Sequence, residues 1–358
     1  MPVKEALDFT MNEANVIKNG DRSVHYLPSY MFSLKVSDQV VEQYKPFVHE
    51  GDSIVNEMKW GIVDGQGNPR SYVTKAQMMV LDLLKNMDWS RPVYFAVTTG
   101  GEAYMGLERY FQLEGLAYRL TPILHAPTSN PNLEGGVASD LMYENMMNKF
   151  QWGNMDTHDI YMDENNRRMT SNLRLQFSHL AEQLITEGKK DKAVEVLDKC
   201  MNVMPEKNVP YDQPQIMWTL SELYYEAGDS VKGLSLAKRM YELNSQELNY
   251  FNSLEGDGER QGMMTRDIEM RARLNSIMAG QAADYFPNDP DVIKMKEESD
   301  AILTEMGIQP QRPQQRTQPS MPQDTTRPKV PAASEDTTKR TLNLEPDGPG
   351  GYKPAGKK

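Results

Sequence analysis

The stretch "FSHLAEQLITEGKKDKAVEVLDKCMNVMP", residues 177–205, decides the architecture of the C-terminal half. Phe177, Leu180, Ala181 and Leu184 recur at helical spacing, Gly188 interrupts them, and Ala193, Leu197 and Cys200 resume the pattern before Pro205. Two apolar stripes around a glycine predict two antiparallel helices, with small residues where they cross. A second segment, "IMWTLSELYYEAGDSVKGLSLAKRMYELN", places Leu220, Tyr224, Gly228 and Ala237 at corresponding positions 40 residues later.

This is tetratricopeptide spacing, whose usual period is about 34 residues, so the register carries an insertion near "KNVPYDQP". Two more helices are expected in "MTRDIEMRARLNSIMAGQAADYFP" and "DPDVIKMKEESDAILTEMG", with Pro287 and Pro290 at the break. Stacked helix pairs bury a core that one pair cannot. The sequence therefore predicts an all-α tetratricopeptide-like helical repeat domain over 173–307, preceded by a loop-rich connector over 131–172. Residues 308–358 hold nine of the 22 prolines, which predicts a disordered tail.

Residues 1–130 read as a small α+β or α/β domain. "YMFSLKV" is a strand candidate, and Thr74 caps the helical pattern of "TKAQMMVLDLLKNMD". In "RPVYFAVTTGGEAYMGLERYFQLEGLAYRL", residues 91–120, an apolar run precedes glycines. Helical spacing of Ala103, Leu107, Tyr110 and Phe111 follows, and then an alternating run. The expectation is a β-α-β unit with parallel strands.

The net charge of −12 opposes nucleic-acid binding, which needs a basic face. The tail carries +4, leaving −16 on residues 1–307. A single cysteine, Cys200, excludes an internal disulfide framework. No secretory leader and no transmembrane run is visible, which by itself points to the cytoplasm.

Several stretches invite a chemical reading. Gly101 and Gly106 have P-loop spacing, but Leu107 and Glu108 stand where that motif needs Lys and Ser/Thr. Glu102 at the turn would repel an anion, so no cofactor is expected there. Asp156, His158, Asp159, Asp163 and Glu164 gather in "DTHDIYMDEN" as weak candidate metal ligands, without the glycine of a calcium loop. Trp89 and Arg91 flank the strand candidate, and the structural reading of both is preferred. No catalytic residue is identified, and Cys200 falls at a helix-packing position.

The runs "YVTKAQMMVLDLLKNMDWSRPVYFAVT", "YMGLERYFQLEGLAYRLTPI", "WGNMD" and "YMDENNRRM" resemble the C-terminal region of large Bacteroidetes membrane proteins, over about residues 1–210. Those proteins carry an N-terminal multispanning domain of unknown function that looks like a C-superfamily glycosyltransferase, related to protein O-mannosyltransferases. The resemblance implies that the catalytic part lies outside this chain and that the region lies on the periplasmic face of the inner membrane where it is attached to or encoded with that membrane domain, and in the cytoplasm where it is a freestanding paralogue. It also implies O-glycosylation at Asp-Thr-Thr sites, giving Thr325 and Thr337 in the tail.

The combined expectation is a non-catalytic module that binds a protein partner or acceptor substrate in a groove lined by Phe177, Leu184, Met217 and Tyr224. The alternative is a freestanding soluble enzyme, sugar or nucleotide related, using the 98–106 turn or the 156–164 loop.

Overall fold

In the computed structural model the described residues are 1–309 except 21, 65–66, 129 and 254–257, with the backbone of 344–347 and 351–354. Met1–Pro313 forms one compact unit and Gln314–Lys358 a second. Of the second, an antiparallel ladder between Leu344–Asp347 and Gly351–Pro354 is described. The rest of the expected disordered tail, with Thr325 and Thr337, lies outside the described residues.

The first unit opens with helix α1 (Val3–Thr10), whose Val3, Ala6, Leu7 and Thr10 face inward. Strands β1 (Ile17–Asn19) and β2 (Arg22–Val24) form a small antiparallel ribbon. Strand β3 (Met31–Lys35) follows, then α2 (Asp38–Tyr44), β4 (Ser53–Ile54) and β5 (Glu57–Gly61), with β3 and β5 antiparallel. Helix α3 (Lys75–Lys85) begins as its sequence predicts: Thr74 Oγ1 accepts from Gln77 N, and the Gln77 side chain accepts from Thr74 N. This reciprocal cap satisfies two donors that a helix start leaves open.

The glycine-rich stretch differs from the sequence reading. Strand β6 (Tyr94–Ala96) is followed by two single 3-10 turns, Gly101–Ala103 and Glu108–Tyr110, and no α-helix. Strands β7 (Phe111–Leu113) and β8 (Ala117–Leu120) make a hairpin, and β6 pairs antiparallel with β8. The expected β-α-β crossover is absent. Met105 and Gly106 take left-handed backbone, with φ of 55° and 87°, and end any helix after one turn. The apolar spacing still has a use: Tyr104, Leu107, Tyr110 and Phe111 are all in the core. Strand β6 lies at the sheet edge with Tyr94 exposed, not covered on both faces. Strand β9 (Ile123–Leu124) pairs with β4, and β10 (Gly136–Val137) adds parallel to β7.

After α4 (Ser139–Glu144) and a wide turn over Asn145–Lys149, the chain runs as loop to Asp163. Helix α5 (Glu164–Thr186) then starts nine residues before the apolar pattern, because its polar first turns carry no stripe. The Asp163 carboxylate accepts from Asn166 N at 2.8 Å and sets that start. Helices α6 (Lys190–Val203), α7 (Pro214–Ala227), α8 (Ser230–Ser253), α9 (Gly258–Tyr285) and α10 (Pro290–Glu305) complete the stack. Gly188 and Gly228 have φ of 75° and 102°, the left-handed breaks their spacing predicts. One apolar core runs from Val3 in α1 to Met278 in α9, so the mixed sheets and the first helices share it.

Candidate functional site

The glycine turn is tied down from outside and from below. Gln77 Nε2 donates to Glu102 O at 2.7 Å, joining the turn to the cap of α3. Underneath, Phe111 lies 4.8 Å from Phe95, 5.1 Å from Tyr104 and 5.5 Å from Tyr118, ring to ring. A Cβ on Gly106 would lie 2.2 Å from Gly61 O, whereas one on Gly101 would meet nothing within 4 Å. The glycine that the fold needs is therefore Gly106, and Gly101 is unconstrained. The Glu102 side chain is exposed, 3.8 Å from Arg70.

The acidic loop spreads its groups among other tasks. Asp159 pairs with Lys207 at 2.8 Å, Asp163 caps α5, and His158 Nδ1 meets Thr157 Oγ1 at 2.8 Å. Asp156, His158, Asp159, Asp163 and Glu164 are all exposed, and among the described residues no group of three His, Cys, Asp or Glu converges. Trp89, at φ 65°, packs on Tyr44 at 6.1 Å, while Arg91 is exposed, so the two do not meet at a site. Burial pushes the Cys200 thiol up to about 12, which leaves no thiolate near neutrality.

The expected groove residues are interior. Phe177, Leu184 and Met217 are 0% exposed and Tyr224 3%, so they join helices and line no open surface. The cause is the fused core: the inner side of α5 and α7 is already covered.

A polar cluster that the sequence does not announce lies beside β9. His125, 2% exposed, meets Asp52 through Nδ1 and Oδ2 at 2.8 Å, and Asp52 Oδ1 accepts from Ala126 N at 2.8 Å. Burial works to raise the Asp52 pKa, but the bonds from His125 and Ala126 outweigh it and hold the carboxyl below its ordinary value. Arg109 donates to His125 O, and a Cβ on Gly136 would sit 2.4 Å from the imidazole Nδ1. The pair spans 73 positions and clasps β4 to β9, a relation that no local spacing signals.

An open concavity lies elsewhere. A hollow of about 610 Å³ is lined by Leu116, Phe150, Trp152, Met155, Ile160, Met162 and Leu173, with Lys149 its only charged side chain. Its floor is firm, since the Trp152 ring packs at a tilt on buried Phe177, with 4.9 Å between ring centroids. Its outer wall is held by Asn208, from the insertion between α6 and α7. That side chain accepts from Ile160 N at 2.9 Å and donates to Met155 O and His158 O, the latter at 2.7 Å. Arg174, 1% exposed, anchors the same insertion by donating to Met204 O, Val209 O and Pro210 O. The extra residues in the repeat thus build a wall of the hollow.

Residues 1–141 match the family model for TMEM260-associated domain 2. No curated protein and no solved structure gives a match. The matched segment holds the mixed sheets, Gly106, Gly135, Gly136 and the His125–Asp52 clasp, and it ends within α4. Leu116 lies inside it, while the other residues lining the hollow lie beyond it. This resemblance suggests a TMEM260-like family and a membrane-protein-associated module. Among the described residues, no helix is long and apolar enough to cross a membrane.

Proposed function

We propose that the chain is a non-catalytic interaction module that works beside a membrane-embedded, glycosyltransferase-like domain and binds a protein partner or acceptor substrate. In this reading it acts on the periplasmic face of the inner membrane. The observation that carries the proposal is the match of residues 1–141 to a domain described by its association with TMEM260. The chemistry of the surface supports it, because the open hollow is apolar where the enzyme reading needs converging polar groups. That alternative loses its two anchors, since the 98–106 turn is built as a core closure and the 156–164 side chains are splayed.

The test is co-expression of the full chain with a multispanning TMEM260-like protein from the same genome, followed by affinity purification in detergent. Co-elution is expected, and it should be lost in Met162→Arg, which puts a charge into the hollow. Separate elution of the wild-type chain would defeat the proposal. Micromolar binding of UDP-glucose, GDP-mannose or Mn²⁺ by the isolated chain, read by titration calorimetry, would favour the enzyme.

A further inference from the structure

Helices α8, α9 and α10 carry a polar layer at one level of their packing. It consists of Asn244 and Ser245 from α8, Asn275 and Ser276 from α9, and Ser299 and Asp300 from α10. Asn244, Asn275 and Ser299 are at most 1% exposed and Ser276 is 5% exposed. Asn244 Nδ2 donates to Asn275 Oδ1 at 3.0 Å, Asn275 Nδ2 to Ser245 Oγ at 3.3 Å, and Ser276 Oγ to Asp300 Oδ1 at 3.1 Å. Arg271 Nη1 donates to Asn244 Oδ1 at 3.1 Å, and at the rim Tyr241 Oη donates to Glu298 Oε2 at 2.8 Å.

The layer separates two apolar clusters of the same three helices. On one side Leu234, Ala282 and Val292 join Tyr225 of α7. On the other, Leu248, Ala272 and Leu303 form a cluster of their own, with Ile302 and Met306 packed against it. The first side is tied to the body of the molecule. Leu236, Ala237 and Met240 of α8 belong to the main core there, and Lys238 joins α8 to the start of α10 through Asp289 at 3.2 Å and Asp291 at 2.8 Å.

The second side is held chiefly by its own small cluster. In α8 it also has weak local support, because five of the ten residues in "NSQELNYFNS", 244–253, are Asn or Ser, poor helix formers that depend on packing. Met270 of α9 still leans on the main core at this level, so α9 is anchored where its neighbours are not.

We infer that the ends of α8 (246–253) and α10 (301–305) beyond the polar layer open from α9 as one unit while the rest of the stack stays folded. A continuous apolar core would couple both ends of these helices, since breaking it anywhere exposes apolar surface. At the layer that coupling stops: its hydrogen bonds are exchanged for bonds to water at small net cost, and the boundary of a separately opening unit falls there. Closed, the same bonds fix the register, because a shift of one helix along another would strand buried amides. Ordinary fraying differs in kind, as it would proceed from each helix end alone, whereas Leu248 and Leu303 share one cluster and must open together.

Native-state hydrogen exchange of the full chain, read by mass spectrometry, tests this. Amides in 247–253 and 301–305 should exchange about 100-fold faster than those in 234–243 and 276–284, with the step at the layer. Leu303→Ala removes a buried side chain of the outer cluster and should speed exchange about ten-fold in α10 and also in 247–253 of α8, leaving 234–243 unmoved. Asn244→Leu with Asn275→Leu makes the layer apolar and should slow the outer amides about ten-fold. Equal protection on the two sides of the layer would overturn the inference. So would a Leu303→Ala effect confined to α10 or spread evenly over both sides, or a folded double variant whose outer amides exchange as before. Should the double variant fail to fold, the wild-type profile and Leu303→Ala decide.

Discussion

Gly106 in the mixed sheets and Gly188 in the helical stack both take left-handed backbone, yet they answer to different constraints. A Cβ at Gly106 would meet Gly61 O at 2.2 Å, and one at Gly135 would meet Phe111 O at 2.0 Å, whereas one at Gly188 or Gly228 would meet nothing within 4 Å. In the stack, glycine serves the local need of ending a helix. In the sheets it lets distant backbones touch. The helical half is therefore specified by neighbours in sequence, and the mixed half by contacts 24 to 45 residues apart, such as Phe111 with Gly135 and Gly61 with Gly106.

Substitutions can break this contrast. Gly106→Ala and Gly135→Ala should each cost more than ~3 kcal/mol, combining backbone strain with a backbone clash, and urea unfolding or loss of soluble protein would register it. A cost below ~1 kcal/mol would mean that the sheets relax more easily than their contacts imply. Arg174→Met comes next, at about 2–4 kcal/mol, because it removes the donors of three carbonyls, two of those bonds fully buried, and frees the insertion. Its unfolding should be accompanied by loss of the hollow, read as increased solvent quenching of tryptophan fluorescence.

Gly188→Ala and Gly228→Ala should cost only about 1 kcal/mol each, the ordinary penalty for a left-handed alanine, while Gly101→Ala should stay within ~0.5 kcal/mol. A pH dependence in α5 probes the helical half separately. Burial holds His179 at about 4, below its ordinary 6.5, so the folded chain keeps it neutral while the unfolded chain protonates. Its contribution is complete above pH 6.5 and is lost as pH falls toward 4, by at most ~1.4 kcal/mol per unit. His179→Leu should flatten the thermal-melt profile over that window.

The same contrast explains what the sequence could disclose. Periodicity located α5 to α10, the Thr74 cap and both helix-ending glycines, because each depends on residues within a turn or two. The helical reading of Ala103, Leu107, Tyr110 and Phe111 misled because their apolar spacing suits one helix as well as two 3-10 turns and a strand. Only the approach of Gly61 separates them. Phe177, Leu184, Met217 and Tyr224 looked like groove residues because a repeat stripe marks an apolar face without saying what covers it. The hollow was illegible for the opposite reason: Leu116, Trp152, Met162 and Leu173 come from a hairpin turn, a loop and a helix, joined by Asn208 and Arg174 from outside any common pattern.

Detergent co-purification of the full chain with a multispanning TMEM260-like protein tests the central claim most directly. The account predicts a stoichiometric complex with the wild-type chain and none with Met162→Arg. A wild-type chain that elutes alone, or a Met162→Arg chain that co-elutes unchanged, would contradict it.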